Sequence, residues 1–298
     1  MENLTDKTAS KFLGKKVEGS LQYDRSLLVK VPRFENRKQY GINNENLPFS
    51  GFDVWHAYEF SAMTLNGTPV TRLLKLKYPC QNEYLIESKS LKLYLNSYNM
   101  TRFGKNIDEC LQICKEQIAK DLSEALETEV STEFVNDTTE TTPIYKEFKN
   151  IMDLVDETTL QIEKFKEAPE LLEAEQQEIS QEHFLKFDSL RSNCRVTHQP
   201  DFGDAFIYYK SKKHIKEDSL VKYLCSFRSE YHFHEECCEM IFKRISDLLD
   251  NEDYLCVSIL YTRRGGIDIC PSRWKGIAPN DVMLLLDLNK FTRNGVKQ

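Results

Sequence analysis

Two stretches in the first third of the chain, residues 52–63 and 68–78, alternate β-forming and polar residues on either side of Asn66-Gly67. That dipeptide readily takes the positive φ angles of a tight turn, so the pattern predicts a long antiparallel hairpin. A helical period then takes over. Residues 88–98 suit a short helix, and over 107–126 apolar positions recur as Ile107, Cys110, Leu111, Cys114, Ile118, Leu122 and Leu126, which predicts a helix with one buried stripe. Cys110 and Cys114 fall on that stripe, so core packing accounts for them better than metal binding. A strand is expected at 129–135.

The stretch ETEVSTEFVNDTTETT, from Glu127, has no Lys or Arg, and acidic, Gln-rich sequence of helical character continues to about Glu182. We read 137–185 as an interdomain connection, part surface helix or flexible link. The second half repeats the first in outline: strand-like FDSLRSNC, a strand at DAFIYYK, a helical stretch from about Glu217 to Leu249, then strands at YLCVSILYT and IDICP. The order predicts an α+β fold with antiparallel sheets in two modules, 1–136 and 186–298.

Composition narrows the function. At 298 residues, 40% hydrophobic and 29% charged, the chain can bury two cores of ordinary size. No apolar run is long enough to span a bilayer, and the polar start MENLTDKTASKFLGKK lacks the apolar core of a signal peptide. With nine cysteines in no paired spacing, a reducing, cytoplasmic setting is expected. A net charge of −7 argues against direct nucleic-acid binding and leaves small molecules as partners. The local basic run KSKKHIK, from Lys210, reads as a solvated turn between strand and helix.

Candidate chemistry concentrates at SNCRVTHQPDFGD, which sets the thiol of Cys194 seven residues before the carboxyl of Asp201. A thiolate attacks, and a neighbouring carboxylic acid can protonate the atom that gains charge, given a raised pKa from burial or a cooperating neighbour. Three more blocks follow one order with it: Glu87-Ser88-Lys89-Ser90 running into LKLYLNSYN, Phe233-His234-Glu235, and Tyr261-Thr262-Arg263-Arg264-Gly265-Gly266 running into IDI. Together they resemble the long, two-module form of the QueF family, NADPH-dependent 7-cyano-7-deazaguanine reductases of queuosine biosynthesis.

The resemblance implies tandem tunnelling folds (T-folds), with antiparallel sheets joined edge to edge and helices packed on one face, and a homodimer. It implies Cys194 as nucleophile and Asp201 as proton donor; Ile86, Glu87, Ser88, His234 and Glu235 at the base site; and Ser88, Lys89, Arg264 and Gly265 on NADPH. The chain has no G-x-G-x-x-G, so a nicotinamide cofactor would be held by fixed positive charge rather than by a Rossmann turn. Arg195, beside the thiol, could lower its pKa or point to solvent, and Leu260 stands where the pattern suggests arginine. Two other readings are a zinc hydrolase using His234 and Cys238, one helical turn apart, and a non-catalytic purine-binding module. No metal is expected.

Overall fold

The computed structural model describes residues 4–9, 11, 20, 22–136, 138–143, 145–276 and 280–293; most of the polar start lies outside them. The alternating stretches form the predicted hairpin, β2 (Ser50–Met63) and β3 (Pro69–Pro79), after a short β1 (Lys30–Pro32) and helices α1 (Leu4–Ala9) and α2 (Phe34–Gln39). Gly67 takes φ 85° at the turn, and its N–H donates to the Thr64 carbonyl. β4 (Tyr84–Ile86) pairs with β1 and leads into α3 (Ser88–Asn96). The striped segment is α4 (Ile107–Leu126), capped by the Asn106 side chain, which accepts from the Glu109 N–H. Cys110, Cys114, Ile118, Leu122 and Leu126 are buried along it as the period requires.

The segment expected to be helical or flexible is the main departure. After β5 (Ser131–Val135), β6 (Thr141–Pro143), β7 (Lys149–Asn150) and two short 3-10 turns, the chain enters β8 (Ala174–Cys194). The lysine run expected as a turn is the far end of its partner, β9 (Pro200–Ile215). The two misread segments pair with each other: Gln176 lies opposite Lys213, Glu182 opposite Lys210, and Lys216 Nζ sits 2.7 Å from Glu173. Helix-favouring Glu and Gln are overruled because a strand of opposite charge lies alongside.

The expected helix over 217–249 is two helices, α5 (Glu217–Cys225) and α6 (His234–Leu248). A 3-10 turn and the short β10 (Tyr231–His232), parallel to the end of β8, separate them. β11 (Tyr254–Tyr261) and β12 (Ile267–Lys275) complete one nine-stranded sheet, ordered β10-β8-β9-β11-β12-β2-β3-β5 with β7 beside β8. The β12–β2 pairing, from Ile267 opposite Ala57 to Trp274 opposite Ser50, fuses the two halves edge to edge. One face packs Trp55, Leu76 and Ile269 under α3 and α4, and Ile207, Val257 and Tyr261 under α5 and α6. Helices are not confined to that face. α7 (Asn280–Leu286), which precedes β13 (Phe291–Arg293), brings Val282 and Leu285 against Val54, Phe206 and Cys270 on the other.

Candidate active site

Where the two halves meet on the helical face, a cavity of about 320 Å³ opens between the starts of α3 and α6. Leu85, Trp55, Phe233, Ile267 and Ile269 supply apolar walls. All ten residues expected at the site line it: Ile86, Glu87, Ser88, Lys89, Cys194, Asp201, His234, Glu235, Arg264 and Gly265. An apolar pocket with a few convergent polar groups is the usual form of a small-molecule site.

Strand pairing explains the spacing of thiol and carboxyl. Asp201 lies opposite Ser192, two residues before Cys194, so Cys194 and Asp201 project from the same face as diagonal neighbours. Cys194 ends β8 with 9% of its surface exposed; its N–H donates to the Gln199 carbonyl at 2.7 Å, and its carbonyl accepts from the His198 N–H at 3.0 Å. Arg195 does not point to solvent: its guanidinium lies 3.2 Å from Glu236 on α6. Leu260 packs in the core on the opposite face, so that departure removes nothing from the cavity.

Of the two expectations for Asp201, a raised pKa or a cooperating neighbour, the pKa is lowered and a neighbour, His234, is present. Burial alone would push the pKa up, but His234 Nε2 stands 3.3 Å from Oδ2 and Arg264 Nη1 donates to Oδ1, and these contacts hold the carboxyl below the ordinary aspartate value. His234 stacks on Tyr261 with ring centroids 3.8 Å apart, and its buried Nδ1 makes no hydrogen bond among the described residues.

The two glutamates sit differently. Glu87 is the N-cap of α3: its oxygens accept from the Lys89 N–H at 2.8 Å and the Ser90 N–H at 2.7 Å. Burial nonetheless raises its pKa, against the pull of those bonds. Glu235, 2% exposed in the first turn of α6, has one buried oxygen, Oε1, without a hydrogen bond among the described residues. Behind it lies a buried ion network: Arg37 grips Glu239 at 2.6 and 2.8 Å, Arg273 lies 2.9 Å from Glu239 and 2.8 Å from Asp53, and Arg33 donates to Asp53.

Positive charge rims the mouth. Arg264 and Gly265 form the turn between β11 and β12, where Gly265 and Gly266 take φ of 59° and 80°; a Cβ at Gly266 would lie 2.4 Å from the Glu59 carboxyl. Lys92, one turn after Lys89 on α3, lines the same cavity and donates from Nζ to the Gly265 carbonyl. It is a site residue the sequence reading missed, although Lys89-x-x-Lys92 is the spacing that sets two lysines on one helical face. Three cations and a glycine turn are a donor set that fits a phosphorylated cofactor.

The geometry gives no support to the zinc reading. The Cys238 thiol donates to the carbonyls of Val257 and Pro271 at 3.5 and 3.6 Å, inside the core, while His234 faces Asp201. The His/Asp/Cys group that does come together among the described residues, His56, Asp268 and Cys270, is buried on the other face of the sheet, outside the cavity.

Comparison with known proteins matches residues 20–134 to the N-terminal part of nitrile reductase, 7-cyano-7-deazaguanine reductase, and residues 200–277 to QueF-like protein. Proteins named NADPH-dependent 7-cyano-7-deazaguanine reductase are similar over nearly the whole chain. That of Rickettsia massiliae is 40% identical over 89% of this chain and 93% of its own length, and that of Rickettsia bellii 39% over 88% and 91%. That of Colwellia psychrerythraea is 38% identical over 88% of this chain and 90% of its own.

Proposed function

The chain belongs to the nitrile reductase family of 7-cyano-7-deazaguanine reductases, and from that premise we propose that it reduces the nitrile of 7-cyano-7-deazaguanine to the primary amine, as a step towards the queuosine modification of tRNA. The observation that carries the reading is the meeting, in one cavity, of Cys194 and Asp201 from one half with Glu87 and Lys89 from the other.

The pyrimidine edge of the base presents amino and ring N–H donors, and Glu87 and Glu235 supply carboxylate acceptors for them. Ile86, Ser88 and His234 frame the same site. This docking directs the nitrile towards Cys194. Asp201, ionised between Arg264 and His234, takes the thiol proton as sulfur adds to the nitrile carbon, and returns it to the nitrile nitrogen, leaving a thioimidate on Cys194. That order removes the need for an acid protonated in advance. Lys89, Arg264, Gly265 and Ser88 hold NADPH, with Lys92 beside them; when bound, the cofactor supplies a hydride, and the four-electron reduction takes two hydrides and two protons. After the first hydride and proton, the C–S bond breaks to free the thiol and an imine, and His234, in contact with Asp201, completes a path for the protons each reduction consumes.

The edge-to-edge β12–β2 junction supports reading each half as a T-fold module, and the family supports a homodimer acting in the cytoplasm without direct nucleic-acid contact. No helix among the described residues is long and apolar enough to cross a membrane. Following NADPH oxidation on addition of 7-cyano-7-deazaguanine tests the function: the expected outcome is two equivalents consumed per aminomethyl product, and no oxidation above background would contradict it.

A further inference from the structure

The buried charges behind Glu235 do not close on themselves. Arg33, Arg37 and Arg273 face the carboxylates of Asp53 and Glu239, and Glu239 lies one turn below Glu235 on α6. Arg37 is engaged by Glu239, and Arg33 and Arg273 reach both acids. Glu235 Oε1 has no hydrogen bond among the described residues, the Glu235 side chain is buried at the cavity wall, and Asp53 presents a like charge from β2. The other charged or titratable groups facing it are Arg33, Arg273 from β12, and the Tyr78 phenol from β3.

A buried carboxylate with one oxygen left without a donor is penalised by desolvation and by a neighbouring like charge. We propose that Glu235 carries a proton in the empty cavity and releases it when the substrate's N–H donors dock, and that Asp53 is the positioning residue that sets this exchange. Arg33 and Arg273 pull the other way, and their charge balances the carboxylate once hydrogen bonds from the substrate arrive. The same environment, burial first and the Asp53 charge second, moves the Glu235 pKa up to about 8. The inference rests on the reading of Glu235 as a base anchor and adds that anchoring is proton-linked.

The test is calorimetric titration of full-length Cys194→Ala protein, which cannot form the covalent adduct, with 7-cyano-7-deazaguanine in buffers of different ionisation enthalpy. Close to one proton released per molecule bound is expected near pH 7, with affinity rising about tenfold per pH unit and levelling above about pH 8. Adding Glu235→Gln should abolish both the release and the slope. Asp53→Asn should reduce the release while binding persists. Binding without proton release, or release that survives Glu235→Gln, overturns the inference and leaves the base-anchor reading standing. No binding heat in any buffer overturns that reading and the inference with it.

Discussion

The two walls of the cavity are built alike and behave differently. On one, β4 runs into α3 with Glu87 at the junction; on the other, β10 runs into α6 with Glu235 at its start. Glu87 is satisfied by its own helix, whose first N–H groups hold both oxygens, so its position is set within three residues of sequence. Glu235 is surrounded by groups the fold brings from far away, Asp53 and Arg33 from the first half and Arg273 from β12, and one of its oxygens is left open. A carboxyl fixed by local bonds gives a rigid anchor. One held in a buried charge field gives an anchor whose charge depends on what is bound.

The largest effect expected from breaking this contrast is at the network. Glu239→Ala leaves Arg37 buried without its acid and Arg273 with Asp53 alone, and should cost about 3–5 kcal/mol of stability in a denaturant titration, since removing one partner of a buried ion pair strands the other. A loss no larger than that of an exposed pair would show that the network does not hold the α6 wall. Next come the anchors themselves. Glu87→Ala and Glu235→Ala should each weaken substrate binding by about 1–3 kcal/mol while NADPH binding changes less. Equal losses for both ligands would remove the base-anchor roles.

Stability should separate the two glutamates. Glu87→Ala also deletes a helix cap, at a cost of about 0.5–2 kcal/mol. Replacing Glu235 should act the other way: Glu235 is not the cap of its helix, its folded pKa lies above the unfolded one, so the native state binds the extra proton, and stability falls as pH rises from the ordinary glutamate range to about 8. Glu235→Gln should therefore gain stability relative to the unsubstituted protein across that window and hold the gain above it; a difference that does not change with pH would contradict the assignment. The smallest effects belong to the rim. Lys89→Ala and Lys92→Ala should raise the NADPH concentration needed for turnover and leave substrate capture intact. Arg264→Ala should do the same and also move the pH dependence of capture upward, because Asp201 loses a cation. Loss of capture in the lysine variants would place those residues with the substrate instead.

What was legible in the sequence follows the same division between local and distant causes. The Asn66-Gly67 hairpin and the stripe of α4 are written in a few neighbouring residues, and both form as read. The acidic 174–182 stretch and the Lys210–Lys216 run are not, because each becomes a strand only beside the other. The motif blocks identified every expected lining residue, yet nothing near Asp201 announces that His234 and Arg264 hold it ionised, and nothing near Glu235 announces Asp53. Lys92 could have been read from its spacing to Lys89.

The central claim is covalent capture by Cys194, and intact-protein mass under denaturing conditions tests it most directly. Protein mixed with 7-cyano-7-deazaguanine and no NADPH should gain the full mass of one substrate molecule per chain, because addition of a thiol to a nitrile keeps every atom, and NADPH should then release the aminomethyl product. Cys194→Ala should show no gain. An adduct that persists in Cys194→Ala, or that maps to Cys225, Cys237 or Cys238, would contradict the account.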